Sequence, residues 1–105
     1  MNLPELDPLI HQPARLRVLA LLSGVSEADF SFLSRTLGLT DGNLSVHTSK
    51  LEQAGYLEVH KAFEGKVPRT TYRLTAQGRA QLERYWQALE QIRNSGEGGQ
   101  DGNQG

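Results

Sequence analysis

Cysteine is absent from this chain. Disulfides, thiolate metal sites and cysteine nucleophiles are thereby all excluded. No apolar run approaches the ~20 residues of a membrane span. The opening MNLPELDPL lacks a basic stretch leading into an apolar one, the mark of a secretory leader. The expectation is a soluble cytoplasmic protein with no membrane partner. At 105 residues there is room for one small domain with a single modest core.

Catalytic signatures are missing as well. The three histidines are widely separated, and none stands at ligand spacing from another. Asp41, Glu52, Glu58 and Glu64 show no pairing that suggests acid–base work. GVSEADFS offers no activated nucleophile, and its serines read as caps and turns. No glycine-rich phosphate loop follows a strand. The expectation is a protein that is no enzyme and uses no metal or cofactor. His47 reads as a phosphate or structural hydrogen-bond partner.

Charge of one sign is also scarce, since the net charge is only −1. Its distribution is uneven. Met1 to Asn43 carries three basic and five acidic residues, or −2. Leu44 to Arg73 carries five basic and three acidic, or +2, with His47 and His60 in addition. Leu74 to Gly105 has three basic and four acidic, or −1. A middle segment with a small positive excess suits nucleic acid, and equally suits a solvated charged surface.

What is present reads as short elements with short connections and no internal repeat. Pro13 suits a first helical position, and Leu16, Leu19, Ala20 and Leu22 recur at helical spacing until Gly24. Ala28 to Phe30 reads as briefly extended. Ser31 is a plausible cap for a second short helix, FLSRTL, closed by Gly38. Thr40 caps a third helix that Gly55 ends, and a link of only Gly38–Leu39–Thr40 makes the pair a helix-turn-helix. YLEVHKAF and TTYRL read as strands, with Leu57, Val59 and Lys61 on one side of the first. EGKVPR between them should make a loop of about five or six residues. Thr75 then caps a long last helix over residues 76–94. Residues 1–94 thus form one domain. The glycine-rich SGEGGQDGNQG, residues 95–105, reads as a disordered tail.

The third helix has two unlike faces. In LTDGNLSVHTSKLEQAGYLE, Leu39 to Glu58, a step of ~100° per residue places Leu44, Thr48 and Leu51 on one buried stripe. Gly42, Val46, Ser49 and Gln53 project to the opposite side. Asn43, Ser45 and Lys50 lie along the margins, with His47 nearer the core. A protruding helix of short polar side chains can enter a DNA major groove, because long ones would hold its backbone off the bases. Asn43 suits an adenine edge, Ser45 and Ser49 bases or phosphates, Val46 a thymine methyl, and Lys50 a phosphate or guanine. An ordinary solvated helix has the same pattern. The hairpin adds Lys66 and Arg69 with no acid between them, followed by Thr70, which suits phosphates or a minor groove.

Two blocks, LTDGNLSVHTSKLEQAGYLEV and FEGKVPRTTYRLTAQGR, resemble the winged helix-turn-helix transcriptional regulators of the broad MarR- and ArsR-like kind. Within these, the sequence is most similar to small stand-alone members patterned LTDGNLSVHLxKLExAGY and GKxPRTxYxLTxxGR. The resemblance covers about residues 11–89. It implies an α+β, mostly helical fold with a three-helix core, a hairpin wing and a long last helix. It also implies binding of double-stranded DNA as a homodimer, with Asp41 to Lys50 as the recognition segment and Gly65 to Arg69 as the wing tip. Such domains also serve as protein-interaction modules. On the last helix, Leu82, Tyr85, Trp86, Leu89 and Ile92 form an apolar stripe. It either closes the core or pairs with a second chain, beside Leu6, Leu9 and Ile10.

The chain departs from the pattern at Thr48, where the family has leucine. Its hydroxyl can return to the carbonyl of Leu44 while its methyl stays in the core. Thr48→Leu should raise the melting temperature, since added apolar burial is worth about 25 cal/mol per Å². DNA specificity should be unchanged. Loss of specific binding at constant stability would mean that the helix is rotated and Thr48 faces the DNA.

Overall fold

The computed structural model describes residues 2–99. The elements run α1 (Pro13–Ser23), β1 (Ala28–Asp29), α2 (Phe30–Leu37), α3 (Asp41–Gln53), β2 (Leu57–Glu64), β3 (Val67–Leu74) and α4 (Ala76–Gly99). The three strands form one antiparallel sheet in the order β1-β3-β2. This is the α+β, mostly helical arrangement expected from the sequence, a three-helix core with a hairpin wing and a long last helix.

The core is assembled from every element. Leu19 and Leu22 of α1, Leu33 of α2, Leu44 and Leu51 of α3, and Leu57, Tyr72 and Leu74 of the sheet are buried together. Ile10, before α1, and Leu82 and Tyr85 of α4 close it. None of these pieces is long enough to bury an apolar face alone, so the domain folds as one cooperative unit.

Local chemistry sets the boundaries. Pro13 opens α1, and the Gln12 side chain accepts the N–H of Arg15 at 2.8 Å. Gly38 ends α2 in the left-handed region at φ 68°, where a Cβ would be strained. The Thr40 hydroxyl accepts the N–H of Asn43 at 3.2 Å and starts α3.

Three expectations are corrected. The cap of α2 is Asp29, whose carboxylate accepts the N–H of Phe32 at 2.7 Å. A carboxylate at a helix N-terminus is favoured by both hydrogen bond and dipole, so Phe30 and Ser31 fall inside the helix. The hairpin loop is only Gly65 and Lys66, because Glu64 pairs directly with Val67. Gly65 has φ 65° and Lys66 a negative φ, the combination of a two-residue II′ turn. Pro68 therefore belongs to β3, opposite Phe63, at an end of the strand that β1 does not reach. The last helix continues through Gly99 rather than stopping near Asn94. The remainder of the expected tail, residues 100–105, lies outside the described residues.

The start of α4 is pressed against Tyr56, in the turn that follows α3, and against the end of β3. A Cβ built on Gly78 would meet the Tyr56 carbonyl oxygen at 2.3 Å and Leu74 Cδ1 at 2.9 Å. In an open helix Gly→Ala gains about 1 kcal/mol. Here the clash is with backbone and reverses the sign. Gly78→Ala should destabilise the domain by about 2 kcal/mol, read as a lowered denaturant midpoint. An unchanged or raised midpoint would show that this contact is loose.

Candidate nucleic-acid interface

The residues expected to meet DNA on α3 emerge together on one exposed face. Leu44 and Leu51 are fully buried and Thr48 is 2% exposed. Thr48 donates its hydroxyl to the Leu44 carbonyl at 3.0 Å and lies 3.3 Å from that of Ser45. With this stripe fixed, Asn43, Ser45, Val46, Ser49 and Lys50 are all exposed, Val46 at 53%. Gly42 is open on the same side, with nothing within 4 Å of where a Cβ would stand.

Asp41 is placed differently from its neighbours. Its carboxylate accepts from Ser34 Oγ at 3.2 Å, and the same hydroxyl lies 2.8 Å from the Leu39 carbonyl. At the first position of α3 its negative charge is stabilised by the helix dipole. Asp41 thus fastens the turn between α2 and α3.

The hairpin also differs from expectation. Arg69 lies on β3, not in the turn, and its guanidinium bonds Glu64 at 2.5 Å and Asp29 at 3.3 Å. Arg73 behaves alike, between Glu27 at 3.1 Å and Glu58 at 3.9 Å. On this outer face a shallow groove of about 530 Å³ is lined by Glu27, Glu58 and Glu64 as well as by the two arginines. A phosphate would meet more carboxylates than guanidiniums there. The pair of free cations expected at the wing tip therefore reduces to Lys66, exposed in the turn.

Alternation along the strands reveals a cation the sequence reading passed over. Lys61 pairs with Thr70, on the same side as Val59 and Tyr72. That side packs on the core near Leu57 and Leu74 and runs past it toward the tip. It carries Lys61, Phe63, Pro68 and Thr70 but no acid. The alternation was legible in the sequence. It already placed Glu58 and Glu64 on the side away from Lys61; only the register shows that Arg69 and Arg73 share the side of those carboxylates.

A second unforeseen contact joins α1 to α3. Nη1 of Arg15 lies 3.3 Å from Nδ1 of His47, while Nε of Arg15 donates to the Leu9 carbonyl at 2.5 Å. Partial burial, then the charges of Arg15 and Lys50, hold the His47 pKa below its ordinary value. No local pattern announces a contact between residues so far apart in the chain.

The stripe on α4 divides. Leu82 and Tyr85 are buried in the domain's own core, as is Ile10, so these three are not available to a second chain. Tyr85 completes its polar end with His11, Oη to Nδ1 at 2.8 Å. Leu6, Leu9 and Leu89 are partly buried against the same core. Trp86 remains 41% exposed, and Ile92 is half-buried further along the helix. Among the described residues no helix is long and apolar enough to cross a membrane, and no group of three acidic or histidine side chains is placed to hold a metal ion.

Residues 14–93 match the family model described as winged helix DNA-binding domain. The chain belongs to this family. An uncharacterised protein of Methanocaldococcus jannaschii is 35% identical to this winged helix domain over 85 residues, 80% of this chain and 91% of the relative. Among solved structures, a transcriptional regulator homologue from Pyrococcus horikoshii superposes with a TM-score of 0.78 at 29% identity. That match covers 83% of this chain and 86% of the other. A mutant MarR of Escherichia coli complexed with operator DNA superposes with a TM-score of 0.69 at 22% identity, over 84% of this chain and 62% of that one. The winged helix domain thus has a MarR-like fold, that of transcriptional regulators rather than of enzymes.

His47 makes the folding stability of this winged helix domain pH-dependent in a defined direction. Its pKa is lowered in the fold, so the unfolded chain takes up the proton first, near 6.5. Stability from this group is complete above that value and is lost as pH falls through it toward the folded pKa. The melting temperature should drop between about pH 7.5 and 5.5, and drop less in His47→Gln. Equal profiles for the two proteins would contradict the assignment.

Proposed function

We propose that this chain is a sequence-specific DNA-binding transcriptional regulator of the cytoplasm that acts as a homodimer. The observation that carries the reading is the exposed face of α3. Its short polar side chains are backed by a fully buried Leu44–Thr48–Leu51 stripe, which fixes the rotation of the helix. Asn43, Ser45, Val46 and Ser49 are the base-reading residues in this proposal, with Gly42 allowing close approach of the backbone. Lys50, Lys61, Lys66 and Thr70 hold phosphates. Asp41 and Arg69 act one step back, bracing the turn and the wing.

The dimer in this reading forms along the part of α4 that the core does not cover. Trp86 and Ile92 lie there, beside Leu89, which packs partly on the core, with Leu3 exposed at the other end of the chain. An exposed tryptophan on an apolar stripe is well suited to self-association. Two-fold symmetry would set two recognition helices about one DNA turn, ~34 Å, apart.

A protein-binding role is the second reading, and the apolar wing tip favours it. Phe63 and Val67 are the two most exposed large apolar residues described. Titration of the purified protein with random duplex DNA at two salt concentrations separates the two roles. The DNA role requires affinity that falls steeply with salt. Lys66→Ala should then lower the salt slope by about one. Asn43→Ala or Ser49→Ala should cost about 1–3 kcal/mol at particular base positions. Absence of binding even at low salt would leave the protein-binding role, and equal losses on specific and random DNA would remove α3 as the reader.

A further inference from the structure

The cations of this domain are unequal in what surrounds them. Arg69 and Arg73, the two arginines of the wing, each bond two carboxylates. By contrast, neither Arg15 nor Lys50 is paired with a carboxylate among the described residues. They act together on one ring, because the charges that perturb His47 are theirs. Lys50 stands one helical turn after His47 on α3, and Arg15 reaches the same ring from α1.

These groups also share a side of the recognition helix. At ~100° per residue, Asn43, His47 and Lys50 lie along one flank of the exposed face, and Asp41, Ser45 and Glu52 along the other. The positive charge of α3 is thus collected on the flank where Arg15 adds its own, and the negative charge on the opposite flank. A duplex lying across the short side chains between them would find its phosphates attracted on one side only.

Hydrogen-bond chemistry then fixes the state of the ring. Arginine donates and never accepts, so the Nδ1 of His47 that faces Nη1 must be the acceptor. The proton of the neutral imidazole therefore sits on Nε2. Among the described residues, neither that N–H nor Nη2 of Arg15 has a protein partner. Nε of Arg15, held by the Leu9 carbonyl, keeps the guanidinium in place.

We propose that Arg15, His47 and Lys50 form a seat for one DNA backbone phosphate on the flank of α3, with Nε2–H of His47 donating to a phosphate oxygen. Lys50 and Arg15 supply the charge, and Arg15 is in addition the positioning residue that selects the tautomer. The seat rests on the DNA-binding role proposed above and extends it to α1, an element outside both the helix-turn-helix and the wing.

The test is a salt titration of random duplex DNA at pH 7.5 with the full chain and six variants, each checked for an unchanged fold by its melting curve. Because the two cations share one phosphate, Arg15→Gln and Lys50→Gln should each lower the salt slope by part of the ~0.9 that one phosphate carries, and the two together by about 0.9. Arg15→Lys, which keeps the charge, should restore it. Arg69→Gln should leave the slope nearly unchanged, since its carboxylate partners already match its charge. His47→Asn removes the Nε2–H donor without changing charge, so affinity should fall about tenfold at a constant slope.

A nitrogen–proton correlation spectrum of the unsubstituted protein gives a reading that no folding defect can confuse. The neutral His47 ring should be in the Nε2–H form, and duplex DNA should shift Nε2. Inorganic phosphate at matched ionic strength should not. An unchanged slope in folded Arg15→Gln, full affinity in His47→Asn, or an Nδ1–H ring would each overturn the seat while leaving DNA binding intact. A shift produced by inorganic phosphate alone would make it a free-anion site instead. No salt-dependent affinity in the unsubstituted protein would overturn the DNA role itself, and the seat with it.

Discussion

Thr75 stands where three parts of the molecule meet. Its hydroxyl lies 2.6 Å from the Gly55 carbonyl, just past the end of α3, and accepts the N–H of Gly78 at 2.9 Å in the first turn of α4. Its own N–H donates to the Tyr56 carbonyl at 3.1 Å. One side chain and one peptide therefore tie the exit of α3, the end of β3 and the entry of α4. These bonds lie beside the close approach at Gly78, which the missing Cβ permits. Tyr56 extends the tie outward, with its hydroxyl donating to Asp7 at 2.7 Å. Burial, and then the Asp7 bond, push the tyrosine pKa up to about 12, so its hydroxyl stays a neutral donor over the ordinary pH range. The rotation of α3 about its own axis depends on this joint, since it fixes one end of the helix while Leu44, Thr48 and Leu51 fix its inner side.

Much of this was legible in the sequence, and the reason is locality. Pro13, Thr40, Gly38, Gly55 and Thr75 act within a turn of where they sit, so reading them in order yields the helices. The buried stripe of α3 follows from spacing alone. What escaped were facts that need two distant segments at once. The hairpin register decides that Arg69 faces Glu64 and Asp29 while Lys61 faces away from them. Local rules suggested a longer loop, because Pro68 looked like a turn residue until its place opposite Phe63 was known. The contact of Arg15 with His47 likewise spans α1 and α3. On α4, periodicity identified the apolar stripe correctly. It carried no information on how far the core would reach along it, so Leu82, Tyr85 and Ile10 looked available when the core had claimed them.

The electrostatics of the domain show the same division between a count and an arrangement. A middle segment of net +2 hints weakly at nucleic acid. Arginine's planar, multi-donor head favours pairing with carboxylates, and here it braces the wing. Those exposed pairs contribute little to stability individually, because solvent screens them. Their larger effect is to neutralise Arg69 and Arg73, whereas Arg15, Lys50, Lys61 and Lys66 have no carboxylate partner among the described residues.

Asp29 does two things with one carboxylate. It caps α2 through Phe32 and holds Arg69 of the wing. Swinging the hairpin away from the helix-turn-helix would break an ion pair and disturb a helix cap together, and the two-residue turn gives the hairpin little slack of its own. Together with the pairing of Ala28 and Asp29 to Tyr72 and Thr71, this contact holds the hairpin against the helical part, so α3 and the wing keep a set width between them. In a complex formed as proposed, a duplex that touches both surfaces has to conform to that width by twisting or narrowing its grooves. Sequences that deform easily would then be preferred at positions no side chain reaches, so part of the specificity would reside in the stiffness of the DNA itself.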